Sequence, residues 1–258
     1  MMVTEEFTNA SLRGTYAITG VGWGGQAAMA SIGVFRFDGK EKVSGLLLQS
    51  ISGDVFGQRE LVENPFVEAY QVNANGTGNT LSLEGGDIQS SFAITKAAIA
   101  NGCRIAQEFS LILRELDPST GCLHTAVATQ LPESGEFNNA SFKGVYVGVA
   151  VGRGGQTPAA GFGIITYDGN GGFVESNIAN IQGETFKDRR FVMGSDQGRY
   201  AINPDGTGTV AGGGVVFVVT KARLVDNLLI AEEYAFFVRE LAPPNGVFFT
   251  GITRRRSD

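Results

Sequence analysis

The stretch FTNASLRGTY, residues Phe7–Tyr16, returns 130 positions later as FNNASFKGVY, residues Phe137–Tyr146. At the same offset NANGTG at 73–78 meets NPDGTG at 203–208. Later in each copy the offset falls to 125, which places a loop deletion in a glycine-rich turn near residues 85–91. Self-similarity at a nearly fixed distance indicates a tandem duplication. We place the two domains at residues 1–132 and 133–258, with the boundary in the loop sequence LPESGE.

Each copy has the alternation of apolar and polar residues that is typical of β-strands, and no stretch of ten or more residues has a helical period. Asn9 and Asn139 are interpreted as caps of a single helical turn. A dense set of strands with short local connections predicts, for each copy, an antiparallel up-and-down barrel of about eight strands, with a tight sandwich as the alternative. Closure is favoured because it removes exposed strand edges. The strands predicted in the first copy are Thr15–Val21, Met29–Phe37, Val43–Ser50, Glu68–Asn73, Gly78–Leu83, Ser90–Lys96, Arg104–Glu115 and Leu123–Gln130, with a further one near Val55–Leu61.

The order of motifs in each copy is S-[LF]-[RK]-G-x-Y, a [FY]-D-G hairpin, Y-x-[VI]-N-x-[ND]-G-T-G, F-x-[IV]-T-K and a long strand ending in R-E-L. This order resembles the small lipocalin-like barrels of the allene oxide cyclase type, over both copies. The resemblance implies a calycin-like barrel. It also implies a superfamily of cyclases, isomerases and plain carriers that take an apolar molecule into the barrel. No catalytic motif of that superfamily transfers residue by residue.

Composition argues against several classes of function. The net charge of −6 and pI near 5.0 disfavour a nucleic-acid surface. No apolar run approaches the length of a membrane span, and the acidic start MMVTEEF lacks the order of a secretory signal. We therefore expect a cytoplasmic protein in which Cys103 and Cys122 are free thiols, with neither nucleic acid nor membrane as a partner.

The sequence predicts no metal site and no cofactor. Its single histidine, His124, is replaced by Phe249 in the second copy, so we interpret His124 as an ordinary strand residue. So few histidines and cysteines make a zinc site or a nucleophile–histidine site improbable. The glycine-rich loops lack the lysine of a phosphate-binding loop, and the DGNGG turn at 168–172 lacks the spacing of a calcium loop.

The candidate catalytic residues are Glu108, Glu233, Tyr70 and Tyr200. Glu108 and Glu233 hold equivalent positions on the long strand ending in R-E-L, on the face that also carries Ala106 and Ala231. If that face lines the barrel, a carboxyl in apolar surroundings would act as an acid or base beside a tyrosine. If the opposite, bulky face fills the barrel, the glutamates are only solvated.

The candidate ligand-binding residues are Trp23, Gln26, Gln156, Tyr16 and Tyr146. The first three lie in or beside the loops GVGWGGQ and AVGRGGQ, whose glycines would let a loop fold over a barrel mouth. Tyr16 and Tyr146 lie on glycine-containing strands, where a thin wall makes room for a ligand or merely lets the strands coil.

From these features we predict that the chain binds a hydrophobic or polycyclic small molecule inside a barrel and catalyses a cofactor-free isomerisation or cyclisation. Such chemistry needs a shaped apolar cavity, one or two acids or hydrogen-bond donors and exclusion of water. The alternatives are a non-catalytic carrier of an apolar ligand and an assembly protein without a cavity. A homo-oligomer formed through outer strand faces is compatible with each of them.

Overall fold

The computed structural model describes residues 6–23, 29–52, 59–100, 102–113, 123–153, 159–182, 189–212, 214–238 and 248–257. Two closed antiparallel barrels of eight strands each follow one another along the chain, which confirms the predicted fold class. In each barrel every strand pairs with the next one in sequence and the last pairs with the first. Within the described ranges, no helix is long and apolar enough to cross a membrane.

The first barrel begins with a 3₁₀ turn at Asn9–Ser11 and the second with one at Asn139–Ser141. The strands of the first are β1 Arg13–Trp23, β2 Met29–Asp38, β3 Lys42–Ser52, β4 Arg59–Val72, β5 Thr77–Leu81, β6 Ile88–Ala100, β7 Cys103–Leu113 and β8 Leu123–Gln130. Those of the second are β9 Lys143–Arg153, β10 Ala159–Asp168, β11 Gly172–Gln182, β12 Arg189–Ile202, β13 Thr207–Val210, β14 Val215–Val225, β15 Leu228–Val238 and β16 Phe248–Arg255. The predicted domain boundary after residue 132 lies between β8 and β9.

The strand prediction needs one correction, in β4. The separate strands predicted near Val55–Leu61 and at Glu68–Asn73 are parts of one strand, Arg59–Val72, apart from residues 53–58, which lie outside the described ranges. Pro65, which separates the two predicted segments, lies within this strand and is exposed. Proline removes one N–H donor from the ladder, a loss that a strand tolerates where that N–H would have faced solvent.

The 3₁₀ turn closes one end of each barrel, here called the helix end. Asn9 and Asn139 are the first residues of the turns, and the N-caps are Thr8 and Asn138, so the predicted caps were placed one residue too late. The Asn9 side chain instead reaches across to β4, where its Oδ1 accepts a hydrogen bond from the Val72 amide at 2.8 Å. This contact fastens the turn over the barrel.

An aromatic cluster fills the interior of each barrel next to the helix end. In the first barrel Tyr16 and Phe109 pack with their ring centroids 5.3 Å apart, and Phe37 lies edge-on to both. In the second barrel Phe142 occupies the centre of the cluster. Buried rings contribute a large apolar area, so this cluster is the hydrophobic core of each domain.

The F-x-[IV]-T-K motif marks a register shift between two strands. In the first barrel Ile94 pairs with Phe109, but Lys96 pairs with Glu108 and Ala97 with Ala106. The same shift recurs between β14 and β15. An extra residue on a strand breaks the strict alternation of its faces. Ala106 and Phe109 therefore both belong to the core, which corrects the predicted assignment of Ala106 to the face of Glu108.

Candidate functional site

Tyr70 and Tyr200 support the 3₁₀ turns with their hydroxyl groups. The Tyr70 hydroxyl donates to the carbonyl oxygens of Asn9 or Leu12, at 2.9 and 3.0 Å. Tyr200 makes the equivalent contacts with Asn139 and Phe142, at 2.8 and 3.0 Å. Burial raises the pKa of Tyr200 to about 12, so its hydroxyl keeps its proton at neutral pH. These contacts give both tyrosines a structural role, and a catalytic role for them stays a prediction.

Tyr16 and Tyr146 bridge the interior of their barrels. The Tyr16 hydroxyl donates to the Ala106 carbonyl at 2.7 Å, and the Tyr146 hydroxyl donates to the Ala231 carbonyl at 2.6 Å. Both acceptors lie beside the register shifts of β7 and β15. Each tyrosine thus satisfies a buried carbonyl at an irregular position of the sheet, and both form part of the wall next to the interior space.

Glu108 and Glu233 lie on the outer face of β7 and β15, because Phe109 and Tyr234 next to them face inward. Thr95 donates to the Glu108 carboxylate at 2.9 Å and Thr220 to that of Glu233 at 3.0 Å, which explains the repeated threonine of the T-K motif. This placement matches the alternative in which the bulky face fills the barrel. Acid–base catalysis by these glutamates stays a prediction.

Glu233 is only 7% exposed, since Lys221 and Arg254 cover it. Lys221 Nζ lies 3.0 Å and Arg254 Nε 2.7 Å from its Oε2. Burial would raise the pKa of this carboxyl, but the hydrogen bonds from Lys221, Arg254 and Thr220 outweigh burial and hold the pKa below its ordinary value. The carboxylate is therefore ionised and paired at neutral pH.

The structure does not describe the side chains of the three candidate residues in or beside the loops. Gln26 and Gln156 lie outside the described residues. Trp23 ends β1, but its side chain is also outside what the structure describes. A role in ligand binding for these residues stays a prediction.

The interiors of the two barrels differ away from the aromatic cluster. At five inward positions the first barrel carries larger side chains than the second, in which glycine or alanine stands instead. Ile18, Ser31, Gln49, Asn64 and Glu68 correspond to Gly148, Gly161, Ala179, Gly194 and Gly198. We call the interior that these five small residues face the second lumen. The side chains of Thr253, Asn177 and Phe173 lie against the glycines at positions 148, 194 and 198. Solvent reaches it, because the inward-facing Val192 on β12 is 39% exposed.

Two carboxyl groups face this second lumen. Glu175 on β11 and Asp196 on β12 are direct cross-strand partners, so their side chains lie on the same face. Glu175 points inward: a Cβ at Gly163 would lie 2.7 Å from its Oε1. Burial is the main cause that raises the pKa of Glu175, and the nearby charge of Asp196 raises it further, against a hydrogen bond from Asn177. A carboxyl of raised pKa keeps its proton to a higher pH than an exposed one, which suits it to proton transfer.

A pair of tyrosine hydroxyls lies at the floor of the second lumen. Tyr167 and Tyr234 are 2.7 Å apart at their hydroxyl oxygens, where the first barrel has Phe37 and Phe109. Burial raises the pKa of Tyr234 to about 12. The second interior therefore combines two carboxyls with two neutral hydroxyls.

The first barrel instead carries buried polar side chains that are paired with one another. Thr80 and Ser90 share a hydrogen bond of 2.9 Å, and Asn64 donates to Gln49. His124 Nε2 lies 2.7 Å from Ser31 Oγ. The imidazole lies on β8 and is 3% exposed. Burial lowers its pKa from 6.5 to about 4, so the ring is neutral at pH 7.

Acidification between pH 6.5 and about 4 should destabilise the protein through His124. In the unfolded chain His124 takes up a proton near pH 6.5. In the folded protein its imidazole takes up that proton only near pH 4. The stability is therefore complete above pH 6.5 and falls by about 3 kcal/mol as the pH drops through this window. Urea unfolding at a series of pH values measures the slope, and His124→Phe, which places the residue of the second copy here, should flatten it. Equal slopes in the two proteins would contradict the buried neutral ring.

Neither Glu175 nor His124 is a predicted site residue, because the prediction favoured residues that recur in both copies. At the position of Glu175 the first copy has Gly45, and at the position of His124 the second copy has Phe249. When a charged or imidazole side chain faces the interior in only one of the two copies, the interiors of the two barrels differ in chemistry. Among the described residues, no three His, Cys, Asp or Glu side chains are grouped so as to hold a metal ion.

The outer wall of the second barrel exposes apolar side chains. Val149 on β9 is 62% exposed and Phe162 on β10 is 50% exposed. An apolar outer face of this kind is compatible with the predicted homo-oligomer, which stays a prediction.

Comparisons with known proteins leave the chain without a family. No family model matches the sequence, and no curated protein matches it at a significant level. Among solved structures it is similar to the crystal structure of CghA, at 9% identity over 95% of this chain and 88% of that chain, with a TM-score of 0.24. It is also similar to HpuA from Kingella denitrificans in complex with human haemoglobin, at 11% identity over 93% and 88% of the chains, with a TM-score of 0.25. Superpositions this loose carry no argument about function, which has to rest on the residues of the site.

Proposed function

We propose that this chain binds a hydrophobic or polycyclic small molecule in the second lumen and isomerises or cyclises it without a cofactor. The observation that carries the proposal is Glu175, a half-buried carboxyl of raised pKa that faces the interior across from Asp196. Ligand sites are typically apolar concavities with a few convergent polar groups. The second lumen supports the proposal because its aromatic rings lie beside two carboxyls and a pair of hydroxyls.

In the proposed reaction, one group of residues binds and orients the ligand and another transfers a proton. The rings of the aromatic cluster form an apolar floor. The hydroxyls of Tyr167 and Tyr234 orient a carbonyl or hydroxyl of the ligand on it. Glu175 moves a proton to or from the ligand, and Asp196 keeps the pKa of Glu175 raised. A shaped cavity with one positioned acid or base is sufficient for an isomerisation that needs no redox partner.

Filling the second lumen should abolish ligand binding. Ala179→Gln places there the residue that the first copy carries as Gln49, on a strand that accepts a side chain at this position. We expect the affinity for a neutral polycyclic fluorophore such as Nile red to fall at least about tenfold, because the added side chain displaces ligand atoms from the cavity. Fluorescence titration measures the affinity.

Ala201→Gln is the matched control for this experiment. Ala201 is exposed and lies next to the inward-facing Tyr200, so the same substitution there adds a glutamine to the outer face. The control should bind the fluorophore as the unchanged protein does. Unchanged affinity in Ala179→Gln, with the fold intact by circular dichroism, would place binding outside the second lumen and refute the proposal.

A further inference from the structure

The His124 side chain lies on the inner wall of the first barrel and contacts a strand that does not pair with its own. The residue lies on β8 opposite Gly22 of β1, and its ring reaches over β1 to Ser31 on β2. A Cβ at Gly20 would lie 2.8 Å from the imidazole Cε1 and 2.7 Å from Ser31 Oγ. Glycine at position 20 therefore makes room for the bridge between His124 and Ser31, and the ring is on the interior face.

The two ring nitrogens of His124 differ in their hydrogen bonding. Nε2 is bound to Ser31, whereas Nδ1 is buried and has no hydrogen-bond partner among the described residues. Neighbouring polar groups on the same inner wall, such as Thr80 with Ser90 and Gln49 with Asn64, are paired. A buried nitrogen without a hydrogen bond lowers the stability of the fold by about 1–3 kcal/mol. Its presence here points to a hydrogen-bond partner other than the side chains of this wall.

From this we infer that the first barrel holds a second binding site, for a neutral and largely apolar molecule whose single hydroxyl or carbonyl oxygen hydrogen-bonds Nδ1 of His124. This site is separate from the second lumen and goes beyond the function proposed for it. In the second barrel Phe249 replaces the imidazole and Gly161 replaces Ser31, so the site exists in one copy only.

A depression lies at the rim of the first barrel and borders a strand neighbour of His124. It measures about 630 Å³ and is lined by residues 86–91 together with Ile112 and Leu113. Leu113 is the direct cross-strand partner of His124, and Ser90 is that of Leu113. Two residues that line the depression, Ser90 and Leu113, are therefore sheet neighbours on the path to His124.

The surroundings select a neutral ligand. The inward side chains nearest to His124 along β7 and β8 are Leu111, Leu113 and Ala126, which are apolar. Burial keeps the imidazole itself uncharged at pH 7. A charged ligand would lose its hydration without an ion partner, whereas one neutral oxygen gains the hydrogen bond that Nδ1 offers.

Because His124 is the single histidine of the chain, ¹⁵N-histidine labelling gives one imidazole to observe in the full-length protein. We expect cyclohexanol or cyclohexanone to shift the Nδ1 resonance in a saturable manner at pH 7, while cyclohexane, which lacks the oxygen, leaves it unchanged. Ser31→Ala, which frees the ring, should weaken the binding of cyclohexanol at least about fivefold, the worth of one hydrogen bond.

The outcomes separate this inference from the proposed function. Ala179→Gln, which fills the second lumen, should leave the Nδ1 response to cyclohexanol unchanged. No Nδ1 shift with either oxygen-bearing probe, in a folded protein, would overturn the inference. So would a cyclohexanecarboxylate that binds and protonates the ring, because the site would then prefer an anion.

Discussion

Phe142→Ala should lower the free energy of unfolding of the second barrel by about 3–5 kcal/mol, the usual cost of removing a buried phenylalanine ring. Phe142 is 1% exposed and follows the 3₁₀ turn directly. Its ring packs at centroid distances of 5.1–5.7 Å against the aromatic rings of Tyr146, Tyr167, Tyr200, Phe217 and Tyr234. Without it the cluster has a void at its centre, and the 3₁₀ turn loses its anchor.

Hydrogen exchange with mass spectrometry measures this effect separately in peptides of the second copy. Phe142→Leu is the matched control, because Leu12 fills the equivalent position of the first copy. The control should cost less, about 1 kcal/mol, since leucine fills part of the same space. Faster exchange in the first copy than in the second would show that the cluster is not the core of the second domain.

Glu175→Gln should lower the turnover of the natural ligand by about 10²–10⁴-fold while its affinity changes little. Glutamine keeps the shape and the hydrogen bonding of glutamate but has no proton to transfer. The ligand is identified first by mass spectrometry of what co-purifies with the protein, and its conversion is then followed by chromatography. Asp196→Asn is the control: it removes the neighbouring charge, so it should shift the pH profile of turnover to lower pH and leave Glu175 active.

The same substitution has a readout that needs no ligand. Burial raises the pKa of Glu175 above its ordinary value of 4.5, so the folded protein loses stability as the pH rises through 4.5 towards the raised value. Glu175→Gln lacks that loss, and should be more stable than the unchanged protein at pH 7 and equally stable at pH 3. A stability gain with undiminished turnover would show that Glu175 is not the acid or base and contradict that part of the proposal. A ligand that binds without being converted, in the unchanged protein as well, would identify the chain as a carrier.

The sequence by itself determined the duplication and the barrels. The repeated turns NANGTG and NPDGTG fix hairpins locally, because their glycines at positions 76 and 206 adopt positive φ of 86° and 90°. Period-two alternation then sets which residues share a face. Since these signals act over a few residues, they can be recognised in a single sequence, and the corrections concern the extent of β4, strand ends, the caps and the face of Ala106.

Only the tertiary structure decided which face of the long strand lines the barrel and which residues form the site. The register shift at Thr95 and Lys96 moves Ala106 to the interior and leaves Glu108 outside, and no local pattern announces it. Likewise, Glu175 meets Asp196, and His124 meets Ser31 at a separation of 93 residues, only after strands have paired. Burial and pairing across strands set the pKa of these groups, and both are properties of the closed barrel rather than of any segment of the chain.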